Sequence, residues 1–275
     1  MWALCQDLEA EHTEWAALLA TLDADTWRRP TVFFDWTPWD QLAHICLLDE
    51  ASVLAATDAG AFARQAAALR TRRAAGEEIS AIARATYAKL DGPALLRHWR
   101  DGTHGVSPAL LAAMAQRAPR DRLPWFGPEM SARSFATARL METWAHGQDV
   151  WDLLRRPRPA TARLRHIATL GVNTYAWSFA NRGLTVPEPA PHIRLHAPDG
   201  AVWEWNAPSD AHHVYGTAAD LCRVVTQRRH VADTTLQVAG NGAAWLAIAQ
   251  CFAGPPADGP APGLRRLHGV DDATT

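Results

Sequence analysis

Apolar residues recur at helical spacing through roughly the first two thirds of the chain, and that rhythm stops after Gly183. Leu4, Leu8, Trp15, Leu18, Leu19 and Leu22 share one broad face of a helix over residues 2–22. A loop from 23 to 35, punctuated by Pro30, precedes a second helix. Thr37 can cap that helix and Pro38 suits its first position. It carries Leu42, Ile45, Leu48 and Leu54. A shorter helical piece covers about 60–72. Residues 77–90 and 93–117 read as one broken helix or two consecutive ones, and 118–130 as a loop with three prolines. Ser131 or Ser134 can cap the next helix, which runs to about Leu154. Residues 160–182 are helical again after a proline-rich break at 157–159.

Beyond Gly183 the period shortens to two. Residues 186–191 form a proline-spaced linker. Residues 193–197 and 202–205 alternate like strands across the turn Pro198-Asp199-Gly200. A helix over 218–229, a strand at 236–238 and a helix over 243–252 follow. From Gly254 the chain is rich in Pro, Gly and Asp. The expected class is α+β: a helical bundle over 1–185, a small α/β domain over 190–256 and a flexible tail over 257–275.

The 275 residues are 48% hydrophobic and 20% charged, enough to bury a sizeable core. A net charge of −2 gives no electrostatic reason to bind nucleic acid or an anionic membrane. No run of 18 apolar residues spans a membrane, and the N-terminus has neither a basic start nor a long apolar stretch. A cytoplasmic protein is expected, with a homodimer left open. Cys5, Cys46, Cys222 and Cys251 form no C-x-x-C pair and read as reduced core thiols.

Chemistry concentrates in two helices. Glu142 and His146 are four residues apart, so a helix projects them from one face, where a carboxylate and an imidazole can chelate one ion. The spacing alone equally suits a solvent-facing pair. His44 lies about two turns into the Thr37 helix among Leu42, Ile45 and Leu48. By itself it could be a satisfied core histidine.

Taken together, several segments resemble the DinB-like metalloenzyme superfamily, and within it the mycothiol-dependent maleylpyruvate isomerase type and its actinobacterial metal-binding subgroup. They are Glu11-His12, the run from Trp36 through Thr37, Asp40, Gln41 and Leu42 to His44, and Trp125-Phe126-Gly127-Pro128. The segment from Ser134 to Asp149 and Val225 to His230 also match. The resemblance spans roughly residues 3–256. It implies an up-down four-helix bundle with His44, Glu142 and His146 as ligands to one divalent metal, usually Zn²⁺. Two imidazoles and one carboxylate also admit Ni²⁺ or Fe²⁺. Three protein ligands and an open position are the pattern of a catalytic site.

Around those ligands, Asp149 is a candidate to hold the far ring nitrogen of a ligand histidine. Arg139 could orient Glu142, bind a substrate anion or form an ordinary salt bridge. His12, Trp36, Trp125, Phe126 and Met130 are candidates to line a substrate pocket, with His12 also a possible fourth ligand. Arg223, Gln227 and His230 would share one face of the 218–229 helix. The resemblance implies a second domain that can cover the site, from which Arg223 or His230 could reach a substrate carboxylate. A basic helix end complementing the dipole is the alternative. The function implied is a metal-dependent isomerase or transferase acting on a small molecule. The metal would activate a thiol such as mycothiol or polarise a carbonyl, with a role in secondary metabolism open. A non-catalytic, metal-dependent binding or stress-linked protein is the alternative.

Overall fold

A computed structural model describes residues 1–102 and 104–265. The chain divides into two units after Leu153, not near 185. The first unit contains α1 (Trp2–Leu19), α2 (Pro38–Thr57), α3 (Ala59–Ala74), α4 (Ile79–Tyr87), α5 (Gly92–Arg100) and α6 (Val106–Ala115). A two-residue β-ladder, β1 (Arg122–Leu123) with β2 (Met130–Ser131), leads into α7 (Ala132–Leu153). Four of these helices close a bundle: α1 packs on α6 and α7, and α2 packs on the same two. The class is α+β, as the change of period implies.

Local chemistry sets the helix starts. Thr37 Oγ1 accepts from the Asp40 amide at 3.2 Å, and Asp40 Oδ2 accepts from the Thr37 amide at 2.9 Å, a closed capping box with Pro38 inside it. Asp40 also accepts from Arg84 Nε at 2.6 Å, tying α4 to the start of α2. Asp91 caps α5 through the Ala94 amide. Gly92 is needed there because a Cβ would stand 2.2 Å from the Trp27 ring. Among the described residues the stretch expected as one or two helices over 77–117 holds three, because the Asp91 cap and the bonds from the His104 and Gly105 amides to Asp101 O each interrupt it.

The interior of the bundle holds a buried ion pair. Arg139 Nε on α7 donates to Asp49 Oδ1 on α2 at 2.9 Å, and Trp99 Nε1 on α5 donates to Asp49 Oδ2 at 2.8 Å. The Asp49 and Arg139 side chains are 0% and 3% exposed.

The second unit begins with α8 (Leu164–Asn173) and α9 (Tyr175–Ala180), expected as one helix of the bundle. They belong here because α8 packs on α10 (Ala218–Val225), with Gly171 against Val225. Strands β3 (His192–His196), β4 (Val202–Trp205), β5 (His213–Thr217) and β6 (Gln237–Ala239) form a sheet of order β4-β3-β5-β6, and α11 (Asn241–Leu246) packs on β5, β6 and α9. The β3–β4 hairpin forms across the expected turn, with Gly200 at φ 84°. β5 runs parallel to β3 and was not expected. Its Gly216 accommodates Leu236, which a Cβ would approach to 2.8 Å. α10 ends early: Gln227 adopts φ 59°, a left-handed residue that stops the helix. Residues 254–265 are held rather than loose. Ala257 O accepts from Gln227 Nε2 and Arg182, Gly263 N donates to Asp233, and Arg265 donates to Gln227 O. The rest of the expected tail lies outside the described residues. Among the described residues no helix is long and apolar enough to cross a membrane.

Breaking the buried pair leaves a charge without its partner. Asp49→Ala should therefore cost about 3–5 kcal/mol in a denaturant titration, and the double replacement Asp49→Leu/Arg139→Met should recover most of it. A single variant as stable as the parent would show that the pair contributes nothing.

Candidate metal centre

Two helices deliver the three donors. His44 stands on α2, and Glu142 and His146 stand one turn apart on α7, the helix against which α2 packs. One donor atom from each residue lies within 4.8 Å of the others. His146 Nε2 is 3.4 Å and His44 Nε2 is 4.0 Å from Glu142 Oε2, and the two imidazole centroids are 4.8 Å apart. The Glu142 side chain is 23% exposed, against 5% for His146 and 12% for His44, so solvent reaches the cluster past the carboxylate.

Burial opposes ionisation of Glu142. The hydrogen bond from His146 and the positive potential of His146, Arg139 and His44 outweigh it and hold the carboxyl at about 2. Glu142 is therefore a carboxylate at neutral pH, the form a metal needs. The donor set of two imidazoles and one carboxylate fits a Zn²⁺-type ion and supplies three of its usual four ligands.

Gln41 organises the ring that Asp149 was expected to hold. Its Oε1 contacts His146 Nδ1, while the Asp149 carboxylate stands 3.9 Å from that nitrogen. An Nδ1–H donated to Gln41 orients the ring so that Nε2 faces Glu142, and an ion bound there would displace the proton that Nε2 shares with the carboxylate. Gln41 Nε2 in turn donates to Thr31 Oγ1 at 3.3 Å. The Thr31 amide donates to Trp36 O, closing a loop in which Phe34 and Asp35 adopt φ 49° and 57°. Such conformations cost on the order of 1–3 kcal/mol each and persist where the surroundings impose them. The loop stacks Trp36 on His146 at 5.8 Å, sets it 5.2 Å from His44, and brings Phe33 edge-on to His146 at 5.5 Å. One amide thus joins His146, a candidate ligand, to the loop that covers it. Gln41 lies three residues before His44, a spacing that already placed the two on one helical face. Phe33 carried no comparable signal.

Trp36, expected as a candidate pocket wall, lies beside both imidazoles. Trp125 and Phe126 cluster with Phe62, Trp125 also meets Phe135 edge-on, and Met130 pairs with Leu123 in the β1–β2 ladder. His12 is fully buried; Nδ1 shares a 2.6 Å hydrogen bond with Ser107, and its ring centroid is 4.8 Å from Trp99. It does not join the His44 group. Arg139 is committed to Asp49, the salt-bridge alternative, and acts on Glu142 only through its charge. In the second unit Arg223 Nη1 donates to Asp220 at 3.2 Å, and His230 Nδ1 accepts from the Ala232 amide. The early end of α10 removes the shared face expected for Arg223, Gln227 and His230.

The family described as the mycothiol maleylpyruvate isomerase N-terminal domain matches residues 8–151. Two uncharacterized proteins of Mycobacterium tuberculosis, from strains CDC 1551 / Oshkosh and H37Rv, are each 43% identical over 255 residues. The match covers 92% of this chain and 96% of theirs. Among solved structures, the mycothiol-dependent maleylpyruvate isomerase has a TM-score of 0.50 at 15% identity. A histidine-to-alanine mutant of it has the same TM-score at 16%. Each alignment covers 81% of this chain and 87% of that one, and shows a shared fold.

Two outcomes are expected. Gln41→Leu should weaken metal binding by about 10–100-fold in competition with a chelator, and by more than Asp149→Asn does; equal affinities would remove Gln41 from the centre. The second concerns pH. Burial, opposed in part by Asp49, lowers His12 from 6.5 to about 4. Its folded value lies below its unfolded one, so its contribution to stability is complete above about pH 6.5 and is lost as pH falls toward 4. The pH dependence of unfolding over that window should be shallower in His12→Gln than in the parent.

Proposed function

The chain belongs to the mycothiol maleylpyruvate isomerase N-terminal domain family, and from that premise we propose that it is a metal-dependent isomerase or thiol transferase acting on a small electrophilic molecule. His44, Glu142 and His146 would hold the ion, most simply Zn²⁺, with Ni²⁺ or Fe²⁺ accommodated by the same donors. The observation that carries this reading is the convergence of these three side chains from two helices, with Glu142 the most exposed of the three.

When bound, the ion would supply positive charge that favours the thiolate form of a thiol such as mycothiol, or polarises a substrate carbonyl. The residues of the chain do the rest. Gln41 holds the Nδ1 proton of His146 and keeps the ring in one tautomer. Glu142 contributes one negative charge, so the centre keeps a net positive charge toward an incoming anion. Trp36 and Phe33 present apolar ring surface beside the two imidazoles and limit water there. The Asp49–Arg139 pair holds the helix that carries Glu142.

Elemental analysis of the purified chain should find bound divalent metal, and His146→Ala should contain one equivalent less. With mycothiol present, NMR of candidate substrates of the maleylpyruvate type should show isomerisation or adduct formation by the parent protein and none by His146→Ala. Equal metal content in the two proteins would overturn the ligand assignment.

A further inference from the structure

A second group of donors lies on the same helix as His44. Cys46 and Glu50 are four residues apart on α2, so they share a face. Cys46 follows His44 by two positions, about 200° around the helix, and so points away from the first cluster. His98 of α5 meets that face, with Nε2 2.8 Å from Glu50 Oε1. One donor atom from each of Cys46, Glu50 and His98 lies within 4.8 Å of the others. Beside them Tyr87, at the end of α4, is 5% exposed, and its hydroxyl interacts with Cys46 and Glu50.

We propose that Cys46, Glu50 and His98 form a second divalent-metal site of the zinc class, which ties α5 to α2 and holds its ion independently of His44, Glu142 and His146. The chemistry of the donors supports this choice. A thiolate, an imidazole and a carboxylate are the three side-chain types that Zn²⁺ takes, and the sulfur separates this site from the first, which offers none. Bond lengths near 2.3 Å to sulfur and 2.0 Å to nitrogen set donor atoms about 3.5 Å apart in a tetrahedron, so closure needs a shift of about 1 Å. The side chains able to make it are the mobile ones. His98 is 43% and Glu50 31% exposed, while Cys46 is held in the core. Binding converts the thiol to thiolate and releases its proton to solvent. A plain Glu50–His98 ion pair over a core cysteine is the competing account.

Cobalt(II) separates the two, because a thiolate ligand adds a sulfur-to-cobalt charge-transfer band in the near ultraviolet that nitrogen and oxygen donors lack. The full chain is stripped with a chelator, kept reduced and titrated with Co²⁺. Two equivalents and a charge-transfer band are expected. His98→Ala, at an exposed position that leaves the core intact, should lose the band at the concentration that saturates the parent, as should Cys46→Ala. His44→Ala should keep the band while losing one equivalent, so failure of the first centre and failure of the second are read separately. A parent chain that shows no band, or a band that persists in Cys46→Ala, would overturn the proposal.

Discussion

The contact on which the rest of the first unit depends is the buried pair between Asp49 and Arg139. Two charges out of water are costly and are retained only where geometry and further hydrogen bonds satisfy them. Here Trp99 supplies one of those bonds, so three helices meet at one carboxylate. Asp49 lies five residues beyond His44, and Arg139 three residues before Glu142. Sliding or rotating α2 against α7 would break the pair, and the same movement would part His44 from Glu142 and His146. The interaction therefore acts as a register pin for the candidate metal centre, and the arginine adds positive potential that favours the ionised form of Glu142.

Above that pin, the centre is organised by a neutral side chain. Gln41 spends its carbonyl on His146 and its amide on Thr31, so the ligand ring and the Thr31–Trp36 loop are positioned together. A carboxylate in its place would add a second negative charge beside Glu142 and reduce the net charge of the site. The amide orients the ring without that cost. The consecutive left-handed residues Phe34 and Asp35 show how tightly the loop is drawn over the histidines.

Helix α2 has a different task on each side. One side presents Gln41 and His44 to α7. Another presents Cys46 and Glu50 to α4 and α5, and Asp40 at its start anchors Arg84. A helix used on so many sides cannot show a clean apolar stripe, and α2 indeed buries polar side chains such as Gln41, Asp49 and Ser52 along its length. That is why its periodicity marked it as a helix but could not say which of its polar residues work together.

The sequence by itself determined the elements whose cause is local. Thr37-Pro38 with Asp40 satisfies the free amides at a helix start wherever that helix ends up. The four-residue spacing puts Glu142 and His146 on one face of any helix, and Pro198-Asp199-Gly200 turns a hairpin without outside help. The motif resemblance added His44 to that pair. What only the tertiary structure decided are relations between segments distant in the chain. Asp149 looked like the partner of His146 because it is near in sequence, but Gln41, 105 positions away, has the better approach. Arg139 had three roles open, to orient Glu142, to bind a substrate anion or to form a salt bridge, and only the packing of α2 supplied Asp49 as its partner. Trp125 and Phe126 meet Phe62, and Trp125 also Phe135, contacts that their place in the sequence did not show. β5 became a strand because β3 and β6 pair with it on either side, and residues 164–180 joined the second unit because α10 packs against them. Spacing along one chain fixes which side chains share a face; which face meets which is settled only when buried charges and apolar surfaces compete for the same interior.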